Sequence, residues 1–80
     1  MRTPKGDELT ERELQILRGI ANGRTNAQIG RQLCLQVDSV KSHVARLRFK
    51  LGARDRSHAV AIAYERHILR HGTVEQAVVS

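Results

Sequence analysis

The 80-residue sequence holds one cysteine, one proline and one phenylalanine, and it has no apolar run long enough for a membrane span or a signal peptide. Each scarcity excludes something. Cys34 alone forms no internal disulfide and no second thiol completes a metal pair, so a reduced, cytoplasmic setting is expected. Pro4 is the only proline, and nothing after it forbids helix. There is no repeat, no low-complexity tract, no paired carboxylates, no nucleophile with a neighbouring base and no phosphate-cradling glycine loop. An enzyme is therefore not expected, and neither a cofactor nor a small-molecule ligand is implied. His67 and His71 stand i, i+4 apart, but no carboxylate or cysteine is placed to complete a metal site. They read as solvated or packing histidines near a helix end.

What is abundant is positive charge, and its distribution matters more than its total. The chain carries 14 Lys and Arg against 8 Asp and Glu. Between Arg24 and Arg56, eight basic residues (Arg24, Arg31, Lys41, Arg46, Arg48, Lys50, Arg54 and Arg56) face only Asp38 and Asp55, while the flanking segments balance. One middle block thus holds the whole excess, as a surface for a polyanion requires. A chain of this length makes one small domain near the lower limit for a self-sufficient core, which favours a compact helical fold or a dimer.

Capping residues and glycines divide the chain. "MRTPKGDE", residues 1–8, reads as a flexible polar leader. Thr10 with Glu13 makes a capping box opening a first helix that Gly23 stops, with Leu14, Leu17, Ile20 and Ala21 as its inward stripe. Thr25 with Gln28 repeats the arrangement for a shorter second helix carrying Ile29 and Leu33, with Arg31 and Gln32 on its polar face. A turn around Cys34 to Gln36 follows. The third helix, about 37–51, places Val40, Val44, Leu47 and Leu51 on one face and is closed by Gly52. Asp55 caps a fourth helix expected to run to about Arg70, where Gly72 stops it. Ala59, Val60, Ala63 and His67 suit one face of it, and Ala61, Ile62, Ile68 and Leu69 another, so one face serves the core and the other needs a partner. Thr73 and Gln76 cap an expected extra short turn in the 72–80 tail.

Two short helices joined by a tight turn, the second basic and amphipathic, form the layout in which one helix braces on the DNA backbone while the next enters the major groove. At 100° per residue, positions 38, 42, 45, 46 and 49 lie opposite the apolar stripe of the third helix, with 41 and 48 on one flank and 39 on the other.

The stretch from Leu9 to Val60 also resembles a known family. Its opening "LTERE", the "ANGRTNAQIG" run, the "SVKSHV" start of the third helix and the "KLGARDRSHAV" passage are similar to the four-helix DNA-binding domain of the LuxR (also GerE, FixJ or NarL) class of bacterial transcription regulators. The resemblance implies an all-α, compact four-helix helix-turn-helix domain over 9–71. It implies binding of double-stranded operator DNA as a homodimer through the fourth helix, with Ile62, Glu65, Ile68 and Leu69 at the dimer interface. Either the chain is a free-standing regulator, as Met1 and the short leader suggest, or it was cut from a longer one.

Lys41, Ser42, Ala45 and Arg46 match the family's base-facing positions and fall on the free side of the wheel. Lys41 and Arg46 suit guanine O6 or N7 and Ala45 a thymine methyl, the bland alternative being a solvated charged face. Thr25 and Asn26 suit a phosphate at the start of the second helix, in addition to capping it. Ser39 and Arg48 are further phosphate candidates. His43 lies nearer the apolar stripe, where packing or a phosphate bond fits better than base reading. Glu13 and Arg56 match family positions and are expected to be structural, and Cys34 is expected to be a small buried side chain.

Several residues depart from the family pattern. Gln36 replaces a capping Ser, at a cost of about 0.5–2 kcal/mol. Gly30 replaces a small Ala, at about 0.5–1 kcal/mol. Together they predict a less rigid reading head. Asp38 suits the helix dipole but repels a nearby phosphate. Phe49 stands where the family more often has a polar or small residue, and a contact with another chain or with the tail is expected of it. Gln36, Asp38 and Phe49 favour the alternative of an adaptor or antagonist that pairs with another regulator through its fourth helix. The promoter-reading helix-turn-helix of a sigma factor shares the geometry but fits the register less completely.

Overall fold

The computed structural model describes residues 9–70. The expected leader, the Thr73–Gln76 turn, His71, Gly72 and the 72–80 tail lie outside them. The described residues form four helices and no strand: α1 Glu11–Ala21, α2 Asn26–Leu33, α3 Val37–Leu51 and α4 Arg56–Glu65.

Helix α3 packs against each of the other three. All four residues of its predicted stripe, Val40, Val44, Leu47 and Leu51, are buried. They meet Ile16, Leu17 and Ile20 of α1, Ile29 of α2, and Ala59, Ile62, Ala63 and Leu69 from the C-terminal part, in one cluster. Burying a leucine such as Leu47 fully stabilises the fold by about 1.5–3 kcal/mol. The α1 stripe is rotated from the expected one. Ile16 is fully buried, whereas Leu14 and Ala21 are only half-buried at the rim, because α1 must also turn Glu13 inward.

Both capping boxes form. Thr10 Oγ1 accepts from the Glu13 N–H at 3.1 Å, and the Thr10 N–H donates to Glu13 Oε1 at 2.9 Å. At α2 the Thr25 and Gln28 distances are 3.1 and 2.8 Å. Asp55 accepts from the His58 N–H at 2.8 Å to open α4, and this bond holds its carboxyl below its ordinary range. Gln36 makes no side-chain cap, so α3 starts without one.

Glu13 is 2 % exposed, and its Oε1 also accepts from Lys50 Nζ at 2.8 Å, joining the start of α1 to the end of α3. Burial alone pushes this carboxyl up. The Lys50 hydrogen bond, the Thr10 backbone donor and the Lys50 charge more than reverse that push, so it lies below its ordinary value.

The four helices end in the same way. A left-handed residue follows each one, Gly23, Cys34, Gly52 and His67 in turn. The next amide reaches back to a carbonyl five residues earlier: Arg24 to Gly19, Leu35 to Gly30, Ala53 to Arg48 and Ile68 to Ala63, at 2.8–3.0 Å. The last of these reversals overturns the expected reach of α4 to Arg70. The helix ends at Glu65, and the reversal at His67 folds Leu69 back into the core at 3 % exposure. Histidine is among the residues that tolerate the left-handed region better than most.

Two further expectations are corrected. Cys34 is exposed rather than buried, because it is the left-handed residue of the α2–α3 turn. Gly30 does not loosen the reading head. A Cβ there would stand 2.6 Å from the Leu35 carbonyl oxygen and 3.6 Å from Val40 Cγ2, so its absence lets the turn close on α2.

Lys50→Met should cost about 3 kcal/mol in urea unfolding at neutral pH, since it strands a buried carboxylate. A lowered carboxyl contributes stability above its unfolded-state value and loses it as pH falls through the folded one. The difference between wild type and variant should therefore shrink below the ordinary glutamate value of 4.5, and a pH-independent difference would refute the ion pair's role. Gly30→Ala should destabilise by about 1–3 kcal/mol in spite of alanine's better helix propensity. Cys34→Gly should raise the unfolding temperature by relieving about 1 kcal/mol of left-handed strain. Thermal unfolding of both variants checks the pair, and a stabilised Gly30→Ala would contradict the close approach.

Candidate nucleic-acid interface

With its apolar stripe spent inward, α3 leaves one long face uncovered. Asp38, Ser39, Lys41, Ser42, Ala45, Arg46 and Phe49 are all exposed. The four positions expected to face bases, Lys41, Ser42, Ala45 and Arg46, therefore lie together on one surface of a single rigid element. Phe49 is 87 % exposed, and the tail that it was expected to contact lies outside the described residues.

His43 is half-buried beside this face. Arg46 Nη1 stands 3.3 Å from His43 Nδ1. A guanidinium only donates, so within this contact Nδ1 is the acceptor. The contact joins the two side chains across one turn of α3.

Arg48 takes a different position from the one expected at a phosphate. It is half-buried, and its Nη2 donates to the Arg54 carbonyl, fastening the end of α3 to the connection that leads into α4. Its Nε is buried without a hydrogen-bond partner among the described residues. The Arg54 N–H in turn donates to His58 Nδ1 at 2.9 Å, so this connection is tied from both sides.

At the start of α2, Thr25 is exposed and Asn26 half-buried. Arg56 reaches across from α4, donating through Nη1 to Asn26 Oδ1 at 2.6 Å and through Nη2 to the Arg24 carbonyl at 2.8 Å. This fixes the acceptor end of Asn26 and leaves its amide NH2 as the end that can meet an outside acceptor. An open cleft lined by Arg24, Thr25, Asn26, Arg56 and Ser57 lies beside it. Sequence reasoning missed Arg24 and Ser57 in this cleft. The cue was the basic residue next to the capping threonine in "NGRTN", whose neighbour from α4 only the fold supplies.

The expected dimer residues separate. Ile62 and Leu69 lie in the protomer's own core, at 9 % and 3 % exposure, and therefore have no surface to offer a second chain. Ile62 shares the inward side of α4 with Ala59 and Ala63, and Leu69 is brought in by the folding back of residues 66–69. Ile68 is half-buried against the core, and only Glu65 is exposed. Ala61 is exposed and Val60 and Tyr64 are half-buried, so these residues form the outward side of α4.

No described helix is long and apolar enough to cross a membrane. Among the described residues no three His, Cys, Asp or Glu side chains group as metal ligands.

Residues 7–63 match the family of bacterial regulatory proteins of the luxR type. The transcriptional regulatory protein LiaR of Bacillus subtilis (strain 168) is 40 % identical over 63 residues, which are 79 % of this chain and 30 % of that protein. The nitrate/nitrite response regulator protein homolog of Haemophilus influenzae is 39 % identical over 61 residues, 76 % of this chain and 29 % of the relative. The response regulator protein VraR of Staphylococcus aureus (strain Mu3) is 37 % identical over 62 residues, 78 % of this chain and 30 % of the relative. The chain thus spans about 30 % of the length of these curated relatives. A match over residues 7–63, on four helices whose second and third pack as a helix-turn-helix, is sufficient: the chain belongs to the luxR family of bacterial regulatory proteins.

Proposed function

We propose that the chain is a sequence-specific DNA-binding transcription regulator that places α3 in the major groove of double-stranded DNA. The observation that carries this is the division of α3, with Val40, Val44, Leu47 and Leu51 all buried and Lys41, Ser42, Ala45 and Arg46 all exposed. A basic helix fastened to a small core by one face presents the other to base edges. Lys41 and Arg46 supply donors for guanine, and Ala45 suits a thymine methyl. Thr25, the Asn26 amide, Ser39 and His43 are the groups proposed to meet phosphates on either side. Arg48 is assigned to the α3–α4 connection instead, because its guanidinium is already engaged.

Action as a homodimer is part of the same proposal, with two recognition helices reading half-sites about one helical turn apart. The outward side of α4, with Ala61, Tyr64 and Glu65, replaces Ile62 and Leu69 as the surface through which a second copy would pair. The setting proposed is the cytoplasm, where the operator is, and no catalytic role is assigned.

Selection from a random duplex library with the purified chain, at two salt concentrations, tests this reading. A two-fold symmetric motif is expected, and weak binding abolished by salt with no motif would overturn it. On that motif Lys41→Ala and Arg46→Ala should each lose about 1–3 kcal/mol of affinity, roughly ten- to a hundredfold, with unfolding temperatures unchanged. Unchanged affinity in both would remove them from the reading face. Arg48→Met should lower the unfolding temperature while leaving the salt dependence of binding as in wild type. A slope reduced by about one unit would instead show a phosphate contact.

A further inference from the structure

Phe49 is the one side chain on the exposed face of α3 that the donors and phosphate contacts above leave without a role. It is 87 % exposed, the extreme among the described large hydrophobics, the other exposed one being Val37 at 39 %. On a helical wheel it lies about 20° from Ser42, 40° from Ala45 and 60° from Arg46, and about 140–180° from each member of the buried stripe. The ring therefore continues the surface on which the expected base-facing residues stand.

The composition of that surface limits what can cover the ring. Its neighbours on the face are Ser42, Ala45 and Arg46, with Lys41 on the flank, so the only apolar continuation is the Ala45 methyl. A protein-docking patch needs a contiguous apolar area, and here cations and a hydroxyl interrupt it. A benzyl group offers no donor, so a phosphate gains nothing from it. The occupant that satisfies both the surrounding cations and the isolated apolar pair is a polyanion that itself displays apolar groups. The major groove does so through the 5-methyl of thymine, which phenylalanine and alanine both suit. Ala45 and Phe49 are one turn apart, about 6 Å along the axis, close to two base-pair steps of about 3.4 Å.

We propose that Phe49 is a specificity-determining residue that, with Ala45, forms an apolar strip reading thymine methyl groups in the major groove. The proposal rests on the reading of α3 as the groove helix and adds to it a preference that hydrogen-bond donors do not supply. Lys41 and Arg46 select guanine, and the Ala45–Phe49 strip selects A·T pairs placed with thymine on one particular strand. Because the contact is apolar, it adds sequence preference without adding to the salt dependence of binding.

The test compares wild type, Phe49→Ala and Phe49→Leu in selection from the random duplex library, followed by affinity measurements on the selected site with deoxyuridine in place of single thymines. Phe49 touches no core residue, so all three chains should show the same circular dichroism and unfolding temperature. Wild type should select a thymine that Phe49→Ala no longer selects, while the guanine positions persist in both. Deoxyuridine at that thymine should weaken wild type about fourfold per methyl removed and leave Phe49→Ala unaffected, with Phe49→Leu in between. If Phe49→Ala selects the same motif with the same deoxyuridine sensitivity, the proposal is overturned while groove reading by α3 stands. If the variant instead changes the mass of the chain in solution and not its motif, the ring covers a second chain and the proposal is likewise overturned. If no chain yields a motif, the reading of α3 fails and takes this inference with it.

Discussion

The packing of this domain converges on one stripe of one helix. Val40, Val44, Leu47 and Leu51 are the buried side of α3, the helix that packs against α1, α2 and α4 alike. A core this small has little redundancy, so the orientation of α3 about its own axis is set by four side chains. Its outer face inherits that orientation. Lys41, Ser42, Ala45 and Arg46 point outward because the residues between them have nowhere else to go, and the Arg46–His43 contact joins one of them to the flank.

Charge is divided in a similar way. The middle block has eight cations, but several of them serve the fold. Lys50 neutralises the buried Glu13, Arg48 holds the Arg54 carbonyl, and Arg56 ties α4 to Asn26 and to the backbone at Arg24. These bonds stitch the ends of α1, α3 and α4 where the apolar cluster thins out. The remaining exposed cations of the block are Lys41 and Arg46 on the outer face of α3, Arg31 on α2 and Arg54 in the α3–α4 connection. The net charge of the block thus overstates what a polyanion would meet, and the distinction lies in the third dimension.

That division explains what was legible in the sequence. The capping boxes at Thr10 and Thr25 and the stripe of α3 are local patterns, set by spacing along a single helix, and they appear as read. The exposure of Lys41, Ser42, Ala45 and Arg46 was legible for the same reason, as the complement of the stripe. Cys34 and His67 were not, because nothing in their side chains announces a left-handed backbone as glycine does at Gly23 and Gly52. Missing the reversal at His67 misplaced the end of α4, and with it the burial of Leu69. Gly30 was misread, and the bond from Arg48 to the Arg54 carbonyl was not legible, because the Leu35 and Arg54 carbonyls come from loops whose path follows from the tertiary fold.

The connections have no slack. Each consists of a left-handed stop, one or two residues, and the residue at the N-cap position of the next helix: Gly23 to Thr25, Cys34 to Gln36, and Gly52 to Asp55. An inserted residue at any of them displaces either a stop or a cap, and at Cys34 to Gln36 it also meets the close approach to Gly30. Many binding proteins diversify by lengthening loops on a fixed scaffold. This architecture closes that route, so relatives that recognise different targets must differ by exchanging side chains at constant length along α3, with the backbone path preserved.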